Sequence, residues 1–222
     1  MIITLKDGST KEYSEPKSII EIATDISEGL ARVACAGEVD GEVVDLRHVV
    51  DKDCELSILT FEDEGGKGAF RHTTSHIMAQ AIKRLYPETK LAIGPSIADG
   101  FYYDVDRDTP LTSEDLEKIE AEMKKIVKED LKLERFELPR AEAIAFMKEK
   151  EEPYKVELIE DLPEGEEISF YSQGEFVDLC AGPHLMSTKG VGKAFKIMSL
   201  AGAYWRGDEH NKMLTRLYAT AF

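Results

Sequence analysis

Two histidines, His72 and His76, are the first residues along the chain whose spacing suggests chemistry. Apolar residues follow them at steps of four, Ile77, Ala81 and Leu85, and this period predicts an amphipathic helix. One helical turn separates the Cβ atoms of the two histidines by about 5–6 Å, close enough to share a metal, a water or a substrate oxygen. Histidines at the start of a helix give the same pattern, so the pair alone is a weak signal.

A second group of reactive residues, Asp178, Cys180 and His184, lies more than a hundred positions downstream. If residues 175–180 form a strand, its period of two turns Asp178 and Cys180 to one face. The Gly-Pro pair at 182–183 then reverses the chain and can bring His184 beside them. A strand end with a buried thiol is the plain alternative, but it needs several coincidences to explain all of these residue types. We therefore predict a functional site here.

The elements that must position these residues alternate between strands and helices. Residues 93–105 predict two strands joined at 99–100, whose aromatic residues, Tyr103 among them, form a pocket wall or pack within a sheet. Thr112 predicts the capped start of a charged amphipathic helix, and a shorter helix is expected over residues 140–150. Alternation over residues 154–158 predicts a strand with Lys155 on the face opposite the core, where a lysine is usually solvated.

The first 60 residues predict a separate small domain. A hairpin turning at Asp7 and Gly8 opens the chain, a helix follows from Ile19 to the region of Gly29, and further short strands come after it. Nothing in this pattern looks catalytic. Charge and glycine concentrate at residues 62–68, where we expect the chain to cross between domains. We place the domains at residues 1–61 and 62–222 and expect removal of the first to leave the chemistry intact.

Composition limits the classes of function. The formal net charge is −16 over 222 residues, so bulk attraction cannot hold nucleic acid and any such contact must be local. The 42% hydrophobic content supports a folded core, and no apolar run is long enough to cross a bilayer. Three cysteines, an odd number without a C-x-x-C motif, argue against a disulfide framework. We expect a cytoplasmic globular protein without a signal peptide.

Together the motifs resemble the N-terminal region of bacterial-type threonyl-tRNA synthetase, a TGS domain followed by an editing domain related to that of alanyl-tRNA synthetase. The resemblance rests on residues 72–76, 93–104, 178–184 and 201–208, in that order, and covers essentially the whole chain. It implies an α+β fold, with a ubiquitin-like β-grasp (TGS) domain before a larger α+β editing domain. The family's aminoacylation core would follow Phe222, so we expect an editing fragment or detached editing protein rather than ATP-dependent charging.

The resemblance also implies an activity and a set of roles. The implied reaction is hydrolysis of mischarged Ser-tRNA(Thr), with the serine-bearing acceptor end of tRNA(Thr), and any remainder of a synthetase, as partners. The implied catalytic residues are His72, Lys155 and Asp178. The substrate-binding residues would be Tyr103 and three others, His76, Cys180 and His184. In the alanyl relatives the equivalent histidines and cysteine bind zinc, so zinc at His72, His76, Cys180 and His184 is an alternative, but the threonyl branch favours chemistry without a metal or cofactor.

Two other functions fit the same residues. One is a zinc-dependent hydrolase of aminoacyl-tRNA or another ester, and the other is a non-catalytic tRNA-binding module. Residues 184–222 hold six Lys or Arg against two acidic residues. This local excess of positive charge predicts either a contact surface for the acceptor end or an ordinary solvated surface.

Overall fold

The computed structural model describes all 222 residues. The chain forms two compact units, one of Met1–Thr73 with Gly182–Met186 and one of Thr74–Ala181 with Ser187–Phe222. No helix has the length and apolar character needed to cross a membrane. The domain division expected at residue 61 stays a prediction.

The first unit contains a β-grasp. Its main sheet has the order β2-β1-β7-β4-β5, in which β1 and β7 are parallel and the other pairs antiparallel. Ile3, Ile19, Ile22 and Leu46 are fully buried between the sheet and α1. The elements of this unit up to residue 59 are β1 Ile2–Leu5, β2 Thr10–Glu12, β3 Lys17–Ser18, α1 Ile19–Ile26, α2 Glu28–Val33, β4 Ala36–Val39, β5 Glu42–Val44, β6 Val49–Val50 and β7 Cys54–Leu59.

A long helix, α3 (Glu64–Leu85), begins eight residues before His72. Residues 64–68 of the predicted linker are therefore helical, because they form the first turns of α3, whereas the expected crossing between domains in this segment stays a prediction. Their glycines permit close packing on the end of β7 rather than flexibility. A Cβ atom at Gly66 would lie 1.8 Å from the carbonyl oxygen of Thr60, and one at Gly65 would lie 2.8 Å from a methyl of Leu59.

The second unit is an α+β arrangement of two antiparallel sheets and several helices, which confirms the predicted fold class. The larger sheet has the order β14-β15-β10-β8, with β9 paired to β10, and the smaller has the order β11-β12-β13. Besides part of α3, its elements are β8 Lys90–Leu91, β9 Ser96–Ile97, β10 Gly100–Asp106, α4 Ser113–Glu129, β11 Leu133–Glu137, α5 Arg140–Glu149, α6 Pro153–Asp161, β12 Ser169–Gln173, β13 Phe176–Leu179, β14 Phe195–Tyr204 and β15 Met213–Ala221, with short 3-10 turns at Thr188–Val191 and Trp205–Gly207.

The segment around Lys155 is a helix, α6, and the strand predicted over residues 154–158 is wrong. Pro153 occupies the start of the helix, where its fixed φ is favourable and its missing N–H costs nothing. The buried residues of α6 are Tyr154, Lys155, Val156 and Ile159. Lys155 and Ile159 are four positions apart and lie on one helix face together with Val156. Lys155 therefore points into the protein and is only 3% exposed.

Candidate functional site

The second unit contains a buried group of charged and polar side chains centred on Asp178. One carboxylate oxygen, Oδ1, lies 2.9 Å from Nζ of Lys155, and the other, Oδ2, accepts a 2.6 Å hydrogen bond from the hydroxyl of Tyr103. Lys155 also donates to the Tyr103 oxygen at 2.9 Å, which closes a triangle of contacts. Nε2 of His76 lies 3.5 Å from Oδ2 of Asp178. Four of the residues predicted for the site are thus brought together.

Burial and mutual attraction set the charges of this group. Burial raises the pKa of Asp178, but attraction by Lys155 and His76 and the hydrogen bond from Tyr103 outweigh it and leave the pKa below its ordinary value. Burial, reinforced by the repulsion from Lys155, lowers the pKa of His76 to about 4 despite the opposing pull of Asp178. Burial and the neighbouring carboxylate raise the pKa of Tyr103 well above its ordinary value. At neutral pH the site therefore holds an ionised Asp178, a neutral His76 and a neutral Tyr103.

The elements around the triangle fix its geometry. Gly94 allows the ring of Tyr103 to lie directly against the backbone, since a Cβ atom there would come within 2.1 Å of the ring. Glu152, at the start of α6, accepts from the backbone N–H of Leu91 at 2.8 Å and from Lys83 at 2.9 Å, and so ties α6 to β8 and α3. The hydroxyl of Tyr103 contacts Asp178 and Lys155, and its predicted contact with substrate stays a prediction.

A cavity of about 440 Å³ in the second unit reaches the ion pair of Lys155 and Asp178. Side chains from α3, α5, α6 and β13 line it, including the apolar Phe146 and Met147. The cavity gives the buried pair a route to solvent that its low exposure alone does not suggest.

In the first unit, His72 lies beside His184. Their ring centroids are 4.3 Å apart with the planes tilted by 31°. Nδ1 of His184 lies 2.9 Å from the hydroxyl oxygen of Thr73, and His184 is fully buried. Thr73 is not predictable from the sequence, because a threonine inside a predicted helix gives no signal that its hydroxyl will meet a histidine 111 positions away.

Two residues of the β-grasp, Asp45 and Arg47, hold the backbone of this histidine. The N–H of His184 donates to Oδ2 of Asp45 at 3.0 Å, and Nη1 of Arg47 donates to the carbonyl oxygen of His184 at 3.2 Å. Arg47 also donates to the carbonyl oxygen of Leu185 at 2.8 Å and pairs with Asp45 at 2.9 Å. These contacts do not fit the expectation that the first 61 residues are an appendage to the chemistry.

The residues predicted as alternative zinc ligands form a cluster that can bind a metal. His72, His76, Cys180 and His184 each offer one ligand atom, and these atoms all lie within 4.8 Å of one another. Three imidazoles and a thiol are a donor set that suits tetrahedral zinc. The main chain of Cys180 is held by Ser169, whose hydroxyl donates to the Cys180 carbonyl at 2.6 Å and whose carbonyl accepts from the Cys180 N–H at 3.0 Å.

Four of the six basic residues between positions 184 and 222 are in ion pairs. The pairs are Lys196 with Glu120, Arg206 with Asp161, Lys212 with Asp106 and Arg216 with Asp104. Much of the positive charge expected to form a contact surface is therefore balanced by carboxylates elsewhere in the second unit. This arrangement supports the plain alternative of a solvated, internally paired surface.

Comparison with known families identifies both domains. Residues 1–60 match the TGS domain, and residues 168–218 match the threonyl and alanyl tRNA synthetase second additional domain. Over 220 residues, 99% of the chain, it is 70% identical to a threonine–tRNA ligase of Acetivibrio thermocellus and 66% identical to one of Clostridioides difficile. It is 62% identical over its whole length to a threonine–tRNA ligase of Caldanaerobacter subterraneus subsp. tengcongensis.

The chain contains both domains and is 60–70% identical to the N-terminal region of bacterial threonyl-tRNA synthetases over essentially its whole length. The chain spans about a third of the length of these relatives, 34% in each case. The match to the second additional domain includes Asp178, Cys180 and His184, whereas His72 and Lys155 precede it. The resemblance seen in the sequence motifs is therefore confirmed at the level of both domains.

Proposed function

We propose that this chain hydrolyses the ester of Ser-tRNA(Thr) and so proofreads threonylation. The observation that supports this most strongly is the buried group of Lys155, Asp178, Tyr103 and His76 in a domain of the threonyl and alanyl tRNA synthetase type. A buried ion pair is costly to maintain and weak as a source of stability. Its presence beside a cavity is typical of a site selected for chemistry.

The need for such a reaction follows from the similarity of serine and threonine. They differ by one methyl group, which a binding pocket can discriminate by only ~1–3 kcal/mol. An enzyme that charges threonine will therefore attach serine at times. A second site that is too small for the threonine methyl group and hydrolyses the serine ester restores accuracy.

Lys155 and Asp178 have complementary roles in this proposal. Two of the three N–H bonds of the Lys155 ammonium are directed to Asp178 and Tyr103, which leaves the third for the carbonyl oxygen of the ester. There it stabilises the negative charge that develops as water attacks. The ionised Asp178 keeps Lys155 in place and attracts the ammonium group of the seryl moiety.

His72 acts as the base in this proposal. It removes a proton from the attacking water, whose oxygen forms a bond to the ester carbon. As the tetrahedral intermediate collapses, the bond from that carbon to the ribose oxygen breaks and the proton passes to the ribose oxygen. The products are free serine and uncharged tRNA.

The metal-ligand cluster favours a second candidate, a zinc-dependent hydrolase of the same ester. His72, His76, Cys180 and His184 would hold the ion. When bound, zinc lowers the pKa of its water to about 7 and polarises a carbonyl. In this case His72 would be a ligand and could not be the base.

The test is incubation of the purified chain with Ser-tRNA(Thr), with loss of the ester followed in parallel with and without a chelator. We expect hydrolysis that the chelator leaves unchanged. Hydrolysis that disappears with chelator and returns with zinc would support the zinc-dependent candidate instead. Binding of the tRNA with an intact ester would contradict both and indicate a binding module.

A further inference from the structure

Thr73 makes two hydrogen bonds through a single buried hydroxyl group. Thr73 lies on α3 directly after His72 and is 0% exposed. The hydroxyl oxygen lies 3.0 Å from the backbone nitrogen of Leu185 and 2.9 Å from Nδ1 of His184. We propose that Thr73 is a positioning residue that holds His184 in the tautomer protonated at Nε2, so that His184 serves as a hydrogen-bond donor to the ester.

The direction of each hydrogen bond follows from counting protons. The backbone N–H of Leu185 can only donate, so the Thr73 oxygen accepts in that contact. The hydroxyl has one proton of its own, and Nδ1 of His184 is the acceptor within reach. Nδ1 therefore uses its lone pair to accept this proton. In a neutral imidazole the other nitrogen, Nε2, must then carry the ring proton.

The backbone contacts hold the imidazole in this position. Asp45 accepts from the N–H of His184, and Arg47 donates to its carbonyl oxygen, so the main chain of the residue is fixed on both sides. The ring itself is fully buried and lies against the ring of His72. A fixed ring with a defined tautomer is what a hydrogen bond to a reacting oxygen requires.

This assignment separates the roles of the two neighbouring histidines. A His184 protonated at Nε2 donates to an oxygen of the ester and cannot be the base, which leaves that role to His72. Metal binding through Nε2 of His184 would require this proton to leave the ring and the hydrogen bond with Thr73 to reverse its direction. This role in catalysis rests on the proposed hydrolysis of the ester, whereas the tautomer does not.

The experiment compares Thr73→Val, which removes the hydroxyl and keeps the shape, with Thr73→Ser, which keeps the hydroxyl. Ring nitrogen NMR of the full chain, labelled with 15N-histidine, reports the tautomer of His184 directly. We expect the Nε2–H form in the wild type and in Thr73→Ser, and a clear loss of that form in Thr73→Val. A wild-type His184 protonated at Nδ1, or a Thr73→Val chain with an unchanged tautomer, would overturn the proposal.

Kinetics on Ser-tRNA(Thr) supply the second measurement. Loss of one hydrogen bond to the ring should lower kcat about tenfold in Thr73→Val with little change in KM, and Thr73→Ser should restore it. Should Thr73→Val not fold, the wild-type and Thr73→Ser spectra still decide the tautomer. If the wild type hydrolyses no ester, the proposed function fails, while the spectra still test the role of Thr73.

Discussion

At the scale of single residues, the site depends on the fact that Lys155, Asp178 and Tyr103 satisfy one another away from water. Asp178 accepts from both partners, so each contact helps keep it ionised. Removing Lys155 should destabilise the protein more than removing the Tyr103 hydroxyl, because only Lys155 balances the negative charge of Asp178. This difference can be measured with two variants of similar size change.

Lys155→Met should lower the free energy of unfolding by about 3–5 kcal/mol, since it leaves the carboxylate of Asp178 buried without a counter-charge. Tyr103→Phe keeps the ion pair and should cost about 1–3 kcal/mol. Urea unfolding at neutral pH, followed by circular dichroism, provides both values. Equal losses in the two variants would mean that the charge pair is not what holds this group together.

The neutral state of His76 predicts a pH dependence of stability. Without added metal, the unfolded chain takes up a proton on this residue near pH 6.5, but the folded protein does so only near pH 4. The unfolded state therefore binds more protons between these values, and stability falls as pH is lowered through this window. From pH 7 to pH 5 the contribution of His76 is a loss of about 2 kcal/mol.

The measurement is denaturant unfolding of the wild type and His76→Gln at both pH values. His76→Gln should lose less stability on acidification than the wild type, because the titrating group is gone. His48→Gln, at an exposed position, is the matched control and should behave as the wild type does. An identical loss in all three chains would show that His76 is not the group responsible.

At the scale of secondary-structure elements, the sequence predicted the fold class and the strands of the β-grasp, but it misassigned two segments that matter for the site. The alternation of residues 154–158 also fits one turn and a half of a helix, and the short segment does not decide between the two periods. The predicted strand placed Lys155 in solvent, whereas α6 buries it. The charge and glycine at residues 62–68 predicted a linker, whereas Gly65 and Gly66 let the first turn of α3 pack on the end of β7.

The reactive residues of the candidate site could be predicted from the sequence. The residues that support them through hydrogen bonds could not. Asp178, Cys180 and the histidines are visible as a pattern in the sequence. Thr73 and Arg47 act through hydrogen bonds to a segment more than a hundred positions away. No local periodicity reports such contacts, since they depend on how the elements pack.

The clamp on the His184 backbone predicts that a β-grasp residue affects the chemistry. Arg47→Ala removes the donors to the carbonyls of His184 and Leu185 and should lower hydrolysis of Ser-tRNA(Thr) about tenfold, a loss of about 1.4 kcal/mol in activation free energy. Arg32→Ala, an exposed arginine of the same domain, should have no effect. Ester loss under single-turnover conditions measures both.

A folded Arg47→Ala chain with full activity would restore the expectation that the first domain is dispensable. Folding is checked by circular dichroism and by the midpoint of urea unfolding. A variant that loses stability and activity together is compared with the wild type at lower temperature, where both are folded.

At the scale of the whole molecule, charge and domain content decide what the chain can bind and do. The net charge of −16 and the pairing of most basic residues near the carboxyl end leave little free positive charge for the acceptor arm. Under the proposed function, recognition of the tRNA by this chain depends on the aminoacyl end and a few local contacts. The discrimination between serine and threonine is therefore the property that tests the proposed function most directly.

The most direct test is the rate of ester hydrolysis on two separately prepared substrates, Ser-tRNA(Thr) and Thr-tRNA(Thr), under single-turnover conditions with the same chain. The account predicts that the seryl ester is lost at least about tenfold faster, since the site must exclude one methyl group. Equal rates, or faster loss of the threonyl ester, would contradict it.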